Sequence, residues 1–252
     1  MSHDLGYSGI EIRGLGEEIT ASKAKPFMPS EADNTIATLN KLGLEIPCFS
    51  SNCVISEVDQ KDAALREIGD YIQLAKKFGA PNIRILADEQ PHVTRQIDDD
   101  HVVHMLELLS DQAKDDVSLL IETNGVYADT KRLAKLLKRI NRSNVAALWD
   151  VHHPYRFFGE TVAQTWSNIG SYVRHVHVKD SVRCVDGAIT YRLPGSGDIP
   201  LYDLFEVLSA NNYSGYVSLE WVKRWASEIE DAAIVFPQFV HFVRQWERKK
   251  DD

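Results

Sequence analysis

Four apolar runs in the chain end in a side chain able to ligate a metal: Glu122 in Leu-Leu-Ile-Glu-Thr, Asp150 in Ala-Leu-Trp-Asp, His177 in His-Val-His-Val-Lys-Asp and Glu220 in Val-Ser-Leu-Glu-Trp. Three carboxylates and one imidazole make a hard, oxygen-rich donor set. Such a set suits one divalent ion, with Mn²⁺, Mg²⁺ or Co²⁺ favoured, Zn²⁺ within its range and thiolate-preferring metals disfavoured. Its net charge of about −3 makes it electrostatically costly when empty. A single acidic residue at a strand end is most often a helix cap or a solvated rim group. Four in phase point instead to a common target. His175 shares the parity of His177, lies one layer deeper and reads as hydrogen-bonded packing.

Convergence requires strands that end on one face. Short β-branched runs at 9–13, 44–50, 82–86, 117–123, 145–150, 173–180 and 216–221 alternate with amphipathic stretches at about 30–43, 59–79, 98–115, 129–141, 160–170, 200–212 and 226–248. Repeated βα units specify a parallel sheet with helices outside it. In a closed barrel the strand C-termini share one face, and period two turns Glu122, Asp150 and Glu220 inward.

Seven βα units are visible, one short of a TIM-type (β/α) barrel. Residues 5–12 closely parallel 212–220, where a helix has just ended and a strand begins. Met1 to Leu5 therefore reads as the tail of a helix, and the expected fold is an α/β barrel lacking its first strand and helix. A doubly wound open sheet is the alternative, but no Gly-x-Gly-x-x-Gly follows the first run. No linker interrupts the repeat, so residues 1–252 read as one domain. Asp186-Gly187 between β-prone residues marks a hairpin excursion over one face. The gap would leave strands 9–13 and 216–221 with unpaired edges, a costly condition unless a rearranged segment or a second copy of the chain, as in a homodimer, covers them.

With 28 Lys and Arg against 37 Asp and Glu, the formal charge of −9 opposes nucleic acid and anionic membranes and favours a small-molecule partner. The three cysteines, Cys48, Cys53 and Cys184, are not spaced as paired thiolates, no run approaches the ~20 apolar residues of a membrane span, and the N-terminus has no secretory pattern. A cytoplasmic protein with reduced thiols is expected.

These residues and their order resemble the xylose isomerase-like TIM barrels, the sugar phosphate isomerase/epimerase superfamily that includes ketose 3-epimerases, inosose dehydratase and hydroxypyruvate isomerase. The resemblance runs from Leu5 to about Trp246. It implies a metal site of Glu122, Asp150, His177 and Glu220, with His153, three residues beyond Asp150, and Arg183, six beyond His177, as substrate contacts. The implied substrate is a small sugar or polyol ketone. Several members carry an acidic or histidine contact shortly after the first glutamate; Asn124 and Ala128 stand here, so sugar specificity does not transfer.

A divalent ion on a carbonyl and its neighbouring hydroxyl acts as a Lewis acid, and loss of the adjacent proton then leaves a metal-stabilised enediolate. Glu122 and Glu220 are the expected catalytic bases. Return of the proton to the opposite face gives an epimerase, and delivery to the neighbouring carbon gives an isomerase. A dehydratase shares the first step and expels a β-hydroxyl. A non-catalytic sugar-binding barrel is the other alternative. The endonuclease branch of the superfamily needs three zinc ions and many more histidines, and the charge of −9 argues against it.

Overall fold

A computed structural model describes residues 1–114 and 116–251. Its elements run α1 (Ser2–Leu5), α2 (Ala32–Leu42), β1 (Cys48–Val54), α3 (Lys61–Phe78), β2 (Asn82–Leu86), α4 (Asp99–Ala113), β3 (Ser118–Glu122), α5 (Thr130–Ile140), β4 (Val145–Asp150), α6 (His152–Phe158), α7 (Val162–Ile169), β5 (Val173–Val178), β6 (Asp180–Arg183), β7 (Ile189–Arg192), α8 (Leu201–Ala210), β8 (Tyr216–Leu219) and α9 (Ala232–Asp251). Strands β1-β2-β3-β4-β5-β8 form one curled, all-parallel sheet in that order, and β6 and β7 pair as a separate antiparallel hairpin. The partial barrel expected from the βα repeat is present. Residue 115, the end of one expected helix, and residue 252 lie outside the described residues.

Alternation along the strands separates two interiors. Leu119 and Ile121 of β3 join the large apolar core beneath the helices, where Leu133, Leu136, Leu137 and Ile140 of α5 are buried. Burying each such side chain contributes about 1.5–3 kcal/mol. The Asp129 carboxylate caps α5 by accepting from the Lys131 and Arg132 amides. Leu120, Ala146 and Leu148 point the other way and form a small apolar plug inside the curl. Above that plug the interior turns polar. Register sets Glu122 beside Leu148 and Asp150 beside His177, so the ligand candidates step around one rim.

Several boundaries differ from expectation. The run at 9–13 takes its predicted place beside β1 but pairs through two isolated parallel bridges, Gly9–Glu45 and Ile12–Phe49. Pro47 lies between those partners and has no N–H to donate, which breaks the ladder and delays β1 to Cys48. On its other side the Tyr216 hydroxyl donates to Glu45 at 2.7 Å, and a Cβ at Gly9 would stand 3.1 Å from the Tyr216 ring. Side chains thus span the space between this segment and β8. The α6 helix lies outside the expected amphipathic stretches and carries Pro154 in its first turn, where proline is tolerated because those N–H groups have no helical partner. The last helix begins at Ala232 rather than 226, because Trp221 Nε1 donates to the Glu230 carbonyl at 2.6 Å and ties the preceding residues into a loop. Residues Ser2–Leu5 are helical, as expected of this stretch, and stop at Gly6 at φ 86°. The hairpin turns at Asp186-Gly187, with Gly187 at φ 87°. No helix among the described residues is long and apolar enough to cross a membrane.

Candidate active site

Ligand atoms of Glu122, Asp150, His177 and Glu220 all lie within 4.8 Å of one another. Glu122 and Asp150 are the last residues of β3 and β4, His177 is next to last in β5, and Glu220 follows β8 with its amide still bonded to the Val178 carbonyl at 2.9 Å. Asp150 is set by its neighbours: its amide donates to Thr123 Oγ1 at 2.9 Å, and Oδ1 accepts from the His152 amide at 2.9 Å.

The imidazole of His177 is oriented from behind. Its Nε2 lies 2.9 Å from both oxygens of Glu11, which leaves Nδ1 facing Glu122 Oε1 at 3.8 Å and Glu220 Oε1 at 3.9 Å. That Nδ1 is buried and has no hydrogen-bond partner. An unsatisfied imidazole nitrogen aimed at two carboxylates, with the other nitrogen fixed by a third, is the arrangement a divalent ion requires. The residues therefore fit the expected ion. Burial alone would lower the His177 pKa, but Glu11, Glu122 and Glu220 hold it well above the ordinary value. Loading an ion onto Nδ1 must displace that proton.

Cations counter the other carboxylates. Burial pushes the Glu122 carboxyl up, yet Arg84 at 3.3 Å and the adjoining His177 bring it down to about 2. Glu220 is likewise raised by burial and pulled well below the usual carboxylate range by Lys179, His177 and Arg13. The Lys179 ammonium bonds both Asp150 Oδ2 and Glu220 Oε2, and although burial opposes its charge, those two carboxylates raise its pKa.

His153 adjoins the cluster. Its Nδ1 bonds the Thr123 carbonyl at 2.9 Å, leaving Nε2 at 3.7 Å from Asp150 Oδ2, and burial lowers its pKa so that the ring is neutral. Arg183 stands apart: it is exposed on β6, and its Nη2 donates to the Arg156 carbonyl at 2.5 Å. His175 has the packing role expected of it, with Nε2 shared between Glu11 Oε2 at 2.9 Å and Ser218 Oγ at 2.8 Å.

A cavity of about 340 Å³ opens onto the cluster, lined by Glu11, Arg13, Asn52, His177 and Glu220 and walled by Trp221 and Trp225. Glu11, Arg13, Arg84 and Lys179 were not singled out from sequence. The signal existed in each case: Glu11 and Arg13 keep inward parity in Gly-Ile-Glu-Ile-Arg, Lys179 keeps it two residues past His177, and Arg84 interrupts the apolar Asn-Ile-Arg-Ile-Leu.

Comparison with known proteins agrees with this geometry. The sequence pattern of the xylose isomerase-like TIM barrel matches residues 2–237. The chain belongs to that family. This xylose isomerase-like barrel is 23% identical over 244 residues to a fructoselysine 3-epimerase of Shigella flexneri, covering 89% of the chain and 84% of the relative. It superposes on a D-psicose 3-epimerase of Clostridium cellulolyticum, solved with D-tagatose, with a TM-score of 0.76 at 17% identity, covering 98% of this chain and 90% of the other. A xylose isomerase-like TIM barrel protein of Mycobacterium smegmatis in complex with magnesium gives 0.74 at 16% identity, covering 96% and 84%.

Proposed function

We propose that the chain is a divalent-metal-dependent sugar isomerase or epimerase that moves a proton on the carbon beside a carbonyl. The observation carrying this reading is the convergence of Glu122, Asp150, His177 and Glu220 around an unsatisfied His177 Nδ1. An ion held by these four side chains would supply Lewis-acid polarisation of a substrate carbonyl and its neighbouring hydroxyl, with Mn²⁺, Mg²⁺ or Co²⁺ favoured over Zn²⁺.

Glu122 and Glu220 are the outer pair of the four, on strands separated by β4 and β5. Both are held ionised, so either can take a proton at neutral pH. One carboxylate removes the proton, and the other returns it to the opposite face for epimerisation or to the neighbouring carbon for isomerisation. Neutral His153, with Nδ1 tied to Thr123, offers Nε2 to a substrate hydroxyl as acceptor. Arg183 is the second substrate contact in this reading, and to serve as one its Nη2 exchanges the bond to the Arg156 carbonyl for a substrate oxygen. Trp221 and Trp225 provide flat apolar walls for a sugar ring or carbon chain. Three free thiols fit a reducing, cytoplasmic setting.

The test is incubation of metal-loaded protein with ketoses in heavy water, followed by NMR at the carbon next to the carbonyl. Deuterium incorporation with a new epimer or isomer supports the reading. Loss of water without interconversion assigns the dehydratase alternative. A protein that purifies without divalent metal, takes up none and exchanges no proton on any ketose overturns the enzyme reading in favour of a sugar-binding barrel.

A further inference from the structure

The polar interior carries more positive charge than the four-ligand site needs. Four carboxylates, Glu11, Glu122, Asp150 and Glu220, face three fixed cations, Arg13, Arg84 and Lys179. With His177 neutral, as a metal ligand must be, the cluster holds one net negative charge. A divalent ion reverses it to one net positive charge. Arg224, which also lines the cavity, adds another at the mouth. A neutral sugar would leave that surplus uncompensated within a walled cavity of about 340 Å³.

Arg13 is the cation built to receive the balancing charge. Its guanidinium lies over the Trp225 ring, 4.1 Å from the centroid, and its Nε donates to Asn52 Oδ1 at 3.2 Å. These two contacts fix the plane. Nη1 stands 3.8 Å from Glu220 Oε1, too far for a hydrogen bond, and among the described residues neither terminal nitrogen makes one. A pre-oriented fork with unused donors, a third exposed beside a catalytic carboxylate, matches a planar carboxylate or a phosphate. Resting on the metal-site reading above, we infer that the substrate carries an anionic group, a phosphate or a carboxylate, that docks on Arg13 at the cavity mouth.

The test is calorimetric titration of Mn²⁺-loaded protein with fructose, fructose 6-phosphate and 5-ketogluconate, which separate the neutral, phosphate and carboxylate cases. At least one anionic ligand is expected to bind roughly tenfold or more tighter than fructose. Arg13→Met should reduce that preference to within about twofold, while Arg13→Lys retains part of it because the charge remains. Circular dichroism confirms that both variants are folded, and should Arg13→Met fail to fold, the Arg13→Lys preference decides: an undiminished ratio overturns the inference. Equal binding of fructose and both anions overturns it as well, even if proton exchange on neutral ketoses supports the enzyme reading. Arg13-dependent anion binding without exchange on any ketose would overturn the enzyme reading and leave the anion site standing.

Discussion

Lys179 stands between Asp150 and Glu220, in the place that a divalent ion bound as proposed would share. In the metal-free protein it bonds buried Asp150 and partly buried Glu220, so its removal takes away the ammonium that both carboxylates share. Lys179→Met should cost the metal-free protein on the order of 3 kcal/mol while tightening divalent-ion binding by about tenfold or more, since one positive charge beside the ion has gone. Thermal melts with and without Mn²⁺ check this: the metal-induced rise in Tm should be larger in the variant, and an equal rise would show that Lys179 does not compete. Glu220→Gln retains an oxygen for the ion but cannot accept a proton. Proton exchange should fall about 10²–10⁴-fold with metal content retained in part, and unchanged exchange would remove Glu220 as a base. The four converging candidate ligands were legible in sequence because each closes an apolar strand run. Glu11, Arg84 and Lys179 carry a weaker signal, inward parity or a break in an apolar run, which is outweighed because a lone charge is most often a solvated group. Only the curl of the sheet turns such charges toward each other.

Helices α4 and α5 illustrate how the outer elements are pinned. Asp99, in the first turn of α4, accepts from Arg132 of α5 at 2.8 Å and from the Tyr127 hydroxyl at 2.7 Å. Partial burial raises the Asp99 carboxyl, but those two donors bring its pKa below the ordinary 3.8. A depressed folded-state pKa contributes stability that is fully present above the unfolded value and is lost as pH falls through the folded one. Asp99→Asn should therefore be less stable than the parent above about pH 5, with the difference shrinking toward zero in stronger acid. Urea midpoints across that range test it, and a pH-independent difference would assign the effect to packing. Element type followed from hydrophobic period almost throughout. Boundaries failed where a local side-chain bond overrode it, as with Trp221 and Glu230 before α9, or where a proline interrupts a ladder, as Pro47 does before β1.

At the scale of the molecule, six laddered strands and one loosely bridged segment curl far enough to bring Glu11, on the first segment, against His175 and His177 on β5. The βα count in the sequence pointed to a partial barrel but not to how its first segment meets β8, because the answer lies in contacts between residues some two hundred positions apart. Gly9 is central to it: a Cβ there would stand 3.0 Å from the Glu45 carbonyl and 3.1 Å from both Pro47 Cδ and the Tyr216 ring. Gly9→Val should wedge this junction apart and cost about 1–3 kcal/mol. Denaturant titration checks the cost, and a neutral result would mean that the junction has slack to absorb the methyls.

Glu11 reaches across that junction to the imidazole that presents Nδ1 to the candidate ligand group. Prising the wall open at this point and letting the His177 ring turn are therefore one event. The barrel wall is built as a clasp whose pin also stands behind His177, so an ion held by Nδ1 would fasten the wall as well. Slow breathing of the barrel and escape of the ion should then share a single rate, with amide protons along β8 exchanging more slowly when the centre is filled.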